Sequence, residues 1–265
     1  MIASATITGV LSLLPAASYA QSITVQAGSS FAVGNGSVQL NCGNLTVAGD
    51  FTVGTGTAAT IRNVAIASGG DVAMTSGLIS LSGDWNNAGS FTAGSGTVAI
   101  VDGCATTASA MSGDTTFSGF NITTAVGRAL QVASGSRQTF TDNLTLRGTP
   151  PSYLSIRSSS AGVPAFFTLV FGASQDIFGV DVADNDASAQ QTIAPRPPGD
   201  FQSVNSGGIA NWFVLSPGGG VTPPGSGSAA SIDTLPPLAT LILALLLLAL
   251  ASGFRPTAST EKSRP

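Results

Sequence analysis

A short segment of this chain occurs twice, forty positions apart. Gly49–Thr57 reads GDFTVGTGT and Gly89–Thr97 reads GSFTAGSGT, identical at six of nine positions. Phe31–Ser37 (FAVGNGS) precedes the first copy by half that distance, and Val72–Gly77 (VAMTSG) falls between the two, one position out of step. Phe31, Phe51, Val72 and Phe91 therefore recur with a period of about 20 residues. A fixed short period marks a repeat architecture, in which each unit buries its apolar face against the next.

Local patterning chooses among repeat folds. Leu45-Thr46-Val47, Val64-Ala65-Ile66, Val98-Ala99-Ile100 and Leu144-Thr145-Leu146 alternate. The outer residues of each triplet point one way and the middle one the other, as in a half-buried strand. Gly-Asn-Gly, Gly-Thr-Gly and Gly-Ser-Gly supply corners with positive φ. The pattern predicts an all-β fold, a right-handed parallel β-solenoid with rungs of about 20 residues. Roughly eight rungs stacked at ~4.8 Å give a rod of ~40 Å, with Phe, Val and Ile in continuous interior ladders. After residue 105 the paired apolar positions are Leu130/Val132, Leu144/Leu146, Leu154/Ile156, Phe167/Leu169 and Val180/Val182, at a shorter and drifting spacing of roughly 10 to 14 residues. That spacing suits a solenoid turning irregular toward its C-terminus, and it also suits a β-sandwich of short strands.

Composition agrees with strands. Only 8% of residues are charged, and the sole Glu (Glu261) and sole Lys (Lys262) lie close to the C-terminus. Lys and Glu are the usual coat of surface helices; their absence beside abundant Gly, Ser, Thr, Asn and Val argues for strands and turns. With no His, the chain has no His-based triad, His metal ligand or His proton shuttle. A net charge of −4 provides no basic footprint, so nucleic acid is not an expected partner.

The two ends read as targeting segments. Ile2–Leu14 is apolar, Pro15 breaks it, and Ser18-Tyr19-Ala20 precedes Gln21. Small residues before the cut fit a secretory signal peptide over residues 1–20, although no basic residue precedes the run; the alternative is a buried N-terminal strand. Leu238–Ala251 carries no charge, and the stretch from Leu235 to Phe254 approaches the roughly 20 residues that span a bilayer. Arg255, Lys262 and Arg264 follow it, placing the C-terminus in the cytoplasm and the main body outside by the positive-inside rule. The expected organisation is a signal peptide (1–20), an exported β-repeat domain (21–215), a Gly/Pro/Ser linker (216–234), a transmembrane helix (235–254) and a cytoplasmic basic tail (255–265).

Ile232-Asp233-Thr234-Leu235, the apolar stretch and the basic run from Arg255 together resemble the IPTL-CTERM sorting signals of Gram-negative bacteria. Asp233 stands where that family has Pro, and Pro236-Pro237-Leu238 replaces the usual Ser-Glu-Trp. The resemblance implies Ile232, Thr234, Leu235 and Arg255 as signal residues, recognised and cut by an exosortase-type membrane transpeptidase. In the body, Asn44-Leu45-Thr46-Val47, Gly83-Asp84-Trp85-Asn86-Asn87-Ala88-Gly89, Val180-Asp181-Val182 and Asn211-Trp212 resemble the repeats of filamentous-haemagglutinin-type adhesins. That likeness implies export, surface display and often adhesion, without a defined ligand; a glycan or cell-surface ligand is the candidate partner.

The candidate chemistry is sparse. Outside the cytoplasm two cysteines usually oxidise. Yet Cys42 and Cys104 lie about three rungs apart in the sequence, or ~14 Å along the axis, where a disulfide needs Cα atoms within ~7 Å. Bonded and free states both stay open. Asp176, Asp181, Asp184, Asn185 and Asp186 form an acidic cluster. Asp181, Asp184 and Asp186 are candidate Ca²⁺ ligands, and the other reading is a strand entering an Asp/Asn turn. No other cofactor is implied. Arg128, Arg137, Arg147 and Arg157 recur every nine or ten positions. They suggest either an exposed stripe that meets anionic glycans or merely solvated outward positions. The sequence therefore points to a non-enzymatic, membrane-tethered envelope or surface protein with a structural or adhesive role. The alternative is a carbohydrate-active enzyme on a β-solenoid, whose site would need paired carboxylates or a metal with a basic residue.

Overall fold

The computed structural model describes residues 21–213. The predicted signal peptide, linker, apolar segment and basic tail, with Ile232, Thr234, Leu235 and Arg255, lie outside the described residues. Among those described, no helix is long and apolar enough to cross a membrane.

The described chain is a parallel β-solenoid of about eight turns. Each of the first four turns carries three short strands. These are β1 (Ile23–Val25), β2 (Ser30–Ala32) and β3 (Ser37–Gln39); β4 (Leu45–Val47), β5 (Asp50–Gly54) and β6 (Thr57–Ile61); β7 (Val64–Ile66), β8 (Asp71–Met74) and β9 (Leu78–Leu81); β10 (Trp85–Asn87), β11 (Ser90–Thr92) and β12 (Thr97–Val101). Equivalent strands stack in register. Ile23 pairs with Leu45, Leu45 with Val64 and Val64 with Trp85, so the period read from the sequence is the length of one turn. The periodic row itself is one of the ladders: Phe31, Phe51, Val72 and Phe91 stand one above another on the second face.

The corners explain the glycines. Gly54 has φ 65°, and a Cβ there would press on the carbonyl of Gly34 in the turn below. Only a residue without a side chain both adopts that dihedral and lets one turn sit on the next.

From the fifth turn the second and third faces fuse. Each turn now carries two strands, β13 (Ala108–Ser112) and β14 (Thr115–Thr123) in the fifth, β15 (Arg128–Val132) and β16 (Arg137–Arg147) in the sixth. The long strands β14 and β16 bend at a register shift between Phe117 and Gly119, which replaces the glycine corner. In the seventh turn the faces separate again. β17 (Leu154–Ser158) pairs with β15, while β18 (Ala165–Leu169) and β19 (Ser174–Phe178) stack on the two halves of β16. β20 (Val180–Ala183) and β21 (Asn185–Asp186) continue the stack. A 3₁₀ turn, Pro198–Phe201, and β22 (Val204–Asn205) then lead into the closing Trp212 and Phe213.

The β-sandwich alternative is not adopted. Every strand ladder is parallel, and the antiparallel contacts among the described residues are isolated bridges such as Gly103–Thr106. The short, drifting spacing after residue 105 came from reading different faces in succession. On the first face alone Leu130 pairs with Ile156 and Ile156 with Val182, the same interval twice.

The interior is filled by aligned rows. Ala58, Ile79, Val98, Phe120 and Leu144 form one, and Ile61, Leu81, Ile100, Ile122 and Leu146 another, all buried. Burial of each large apolar side chain contributes about 1.5–3 kcal/mol, so adjoining turns stabilise one another. Trp85, Phe91, Phe117, Phe120 and Phe140 form an aromatic cluster through the fourth to sixth turns, with ring centroids of contacting pairs 4.7–6.0 Å apart.

Candidate functional site

The chemistry-bearing side chains gather where the third face turns into the first. In successive turns that corner is made by residues 40–44, 62–63, 82–84 and 102–107. The last is the longest, and it contains a positive-φ pair, Cys104 and Ala105, and a small antiparallel bridge, Gly103–Thr106.

Cys42 and Cys104 are bonded, with Cα atoms 5.4 Å apart. The axial separation of about three rungs assumed that both residues keep to their own turns. Instead the two corner loops leave the regular path, and the disulfide reaches past the two corners between them. It covers a cavity of about 190 Å³ walled by Ile61, Leu81, Val101 and both cysteines. That volume is below the roughly 300 Å³ at which small-molecule pockets begin, so the cavity fits the back of a clamp better than a ligand.

Arg128 holds the far side of the loop. Its side chain has no exposed surface. Nη1 donates to the Ser82 carbonyl and to Ser109 Oγ, both at 2.8 Å, and Nη2 donates to the carbonyls of Val101 (3.0 Å) and Thr106 (3.1 Å). Asp102 lies 3.5 Å from Nη2 and pairs with it. Burial lowers the pKa of Arg128, and Asp102 opposes that shift. For the Asp102 carboxyl, burial acts upward. The Ala125 N–H and the Arg128 guanidinium act downward and contribute to a pKa below its ordinary value. Thr106 Oγ1 also donates to the Ser82 carbonyl, tying the loop to the turn below. This latch was missed in the sequence. The available signal was phase: Arg128 alternates with Ala129-Leu130-Gln131-Val132 so that Arg128, Leu130 and Val132 all face inward.

The four arginines do not form one exposed stripe. Arg128 is inside the molecule. Arg137 lies over the Phe166 ring at 4.8 Å. Arg147 pairs with Asp176 at 2.6 Å and covers Phe178. Arg157 pairs with Asp181 at 2.5 Å and also donates to its backbone carbonyl. Nine or ten positions is less than half of a turn here, so the arginines are shared between faces: Arg128 and Arg157 lie on the first-face strands β15 and β17, and Arg137 and Arg147 at the two ends of β16.

The acidic cluster is likewise dispersed. Asp181 accepts from Arg157 and from Ser206. Asp184 occupies a positive-φ corner against Gly208. Asp186 caps the N–H of Ser188. Among the described residues no group of three or more acidic or thiol side chains converges as a metal site would require, which corrects the grouping of Asp181, Asp184 and Asp186 as Ca²⁺ ligands. Elsewhere the aspartates stitch turns together. Asp84 accepts from the N–H of Ala110, Asp102 from Ala125 and Asp114 from Arg137, each at 2.8–2.9 Å across one turn. A short carboxylate reaches a backbone N–H of the next turn where the ladder itself is interrupted, which gives Asp a structural use that the longer Glu would not serve. Geometrically, the region is a clamp and a set of stitches.

No known protein family, curated protein or solved structure matches the chain.

Proposed function

We propose that this chain is an exported, membrane-tethered protein of the cell envelope or surface, with a structural or adhesive role and no catalytic one. The observation that carries the reading is the Cys42–Cys104 bond, because bonds of this kind form and persist outside the reducing cytoplasm. It agrees with the apolar stretch before Gln21 and with the apolar run and basic tail after residue 234. The likeness of Ile232-Asp233-Thr234-Leu235 to an IPTL-CTERM signal adds processing by an exosortase-type enzyme. The winding is taken as right-handed, the hand of nearly all parallel crossovers.

A structural or adhesive role is supported by how the ionisable groups are used. Arg128, Arg147, Arg157 and the stitching aspartates are committed to backbone or to one another, leaving outward rows of Thr and Asn such as Asn121–Thr145 and Thr116–Thr139. These outward hydroxyl and amide rows suit a broad glycan or cell-surface contact. The alternative, a carbohydrate-active enzyme, would need one of the Asp–Arg pairs to act on sugar.

The test is fractionation of cells expressing the full chain. The expected result is a membrane-associated protein, digested by protease added outside, with no titratable thiol. Soluble cytoplasmic protein with two free thiols would overturn the reading. Release of reducing ends from glycans, abolished by Asp181→Asn or Asp176→Asn, would establish the enzymatic alternative instead.

A further inference from the structure

The two ends of the described solenoid are finished differently. The C-terminal end is closed. Trp212 and Phe213 are buried there, the indole N–H donates to Asn185 at 2.7 Å, and Pro195, Pro197 and Pro198 interrupt the strands before the two-residue β22, beside the ion pair Arg196–Asp200. This is an atypical terminal repeat, the form a cap takes.

The first turn has the sequence of an interior turn. Phe31, Val33, Gly34, Gly36 and Ser37 reproduce Phe51, Val53, Gly54, Gly56 and Thr57 of the turn above. Among the described residues nothing lies beneath it. β1, β2 and β3 pair on one side only, with β4, β5 and β6. Added Cβ atoms at Gly43, Gly49, Gly54 and Gly56 would strike backbone of the turn below, whereas at Gly34, the counterpart of Gly54, one meets nothing within 4 Å. Phe31 stacks on Phe51 at 5.6 Å with one ring face covered and remains 38% exposed.

The edge also lacks the devices that stop strands from pairing with other chains, namely charge, proline or a bulge. Residues 21–39 contain no charged residue and no proline, and the first charged side chain in the sequence is Asp50. β2 is exposed along its whole length.

We propose that this first turn is a self-association surface, on which a second copy of the chain stacks head to head and extends the sheets across the junction. The capped C-terminal end leaves the N-terminal edge as the pairing face. A two-fold pair is therefore closed and stops at two copies. Strands meet antiparallel across such a junction, which main-chain pairing accommodates. The surface, residues 21–39, is close to the roughly 20 residues a side of a standard interface. The proposal rests on the export reading in one respect: removal of residues 1–20 leaves Gln21 at the start of this turn.

The test is sedimentation of the full chain, purified from membranes in mild detergent, with the mass of its mature N-terminus determined on the same sample. The expected result is a dimer. Thr24→Lys, Ser30→Lys and Ser37→Lys together place charge on exposed positions of the three edge strands, and are expected to weaken association by at least about tenfold. Lysines at exposed Ala161, Ser188 and Ala189, far from the edge, are expected to leave the dimer intact. A native monomer, or a dimer that survives the three edge lysines, overturns the proposal. Retention of residues 1–20 is read separately from the mass and bears on the export reading.

Discussion

Replacing Arg128 by Met keeps the length of the aliphatic stem but removes the four-way latch on the 102–107 loop. The Val101 carbonyl, at the end of β12, and the Thr106 carbonyl, on the loop, belong to residues that are not buried and can turn to water once the guanidinium is gone. The Ser109 hydroxyl belongs to a buried residue and cannot, whereas the Ser82 carbonyl keeps its bond from Thr106 Oγ1. One orphaned buried group costs about 1–3 kcal/mol. Loss of one member of a buried ion pair costs about 3–5 kcal/mol. Asp102 is 31% exposed on its side chain and rehydrates, so the lower figure applies and a destabilisation of about 3 kcal/mol is expected. Urea unfolding of the disulfide-intact chain measures it as a lower midpoint at unchanged slope. The same variant should let dithiothreitol reduce Cys42–Cys104 faster, because the loop that carries Cys104 is held on its other side by Arg128. Arg128→Lys, which keeps the charge without the planar fork, should fall between the two. A loss under about 1 kcal/mol with an unchanged reduction rate would refute the latch.

Three further outcomes follow from the geometry. Cys42→Ser with Cys104→Ser reopens a 62-residue loop in the unfolded chain, and the chain-entropy relation gives a loss of about 4 kcal/mol, read from urea midpoints. Gly28→Ala and Gly113→Ala share a φ of 76°, but only the second Cβ collides with a neighbouring turn, at the Asn87 carbonyl. Thermal melts should show Gly113→Ala losing more than about 1 kcal/mol beyond Gly28→Ala. Asp102 has a folded pKa below its ordinary 3.8. The stability it contributes is therefore present above about pH 4 and is lost as pH falls through the folded value. Urea midpoints of the native chain and Asp102→Asn should converge as pH drops from neutrality into the acid range below the ordinary carboxylate value.

The solenoid was legible wherever geometry forces residue type to repeat. Phe31, Phe51, Val72 and Phe91 occupy one ladder because each stands above the last, and the glycine corners repeat because turn packs on turn. Legibility faded after residue 105 because the turns lengthened while two faces fused through β14 and β16. Adjacent apolar pairs then came from different faces, and only Leu130, Ile156 and Val182, taken as one row, preserve the period. The candidate site was harder to read. Cys42 and Cys104 were visible, but their meeting depends on the path of two irregular loops, which a rung count cannot supply. Arg128, Arg137, Arg147 and Arg157 looked like a series because their spacing is even. Spacing becomes a shared face only when it matches the length of a turn, and here it does not.

The disulfide also sets how the protein bears tension. A chain pulled from its C-terminal side yields turn by turn, beginning with the capped end, since each turn is held chiefly by its neighbours. Peeling stops at Cys104. The 62 residues back to Cys42 form a covalently closed ring, so roughly 200 Å of contour length stays locked however far the later turns have run out. The C-terminal turns then act as an extensible element in series with an inextensible N-terminal one. Reduction of one sulfur–sulfur bond is what would convert the second into the first.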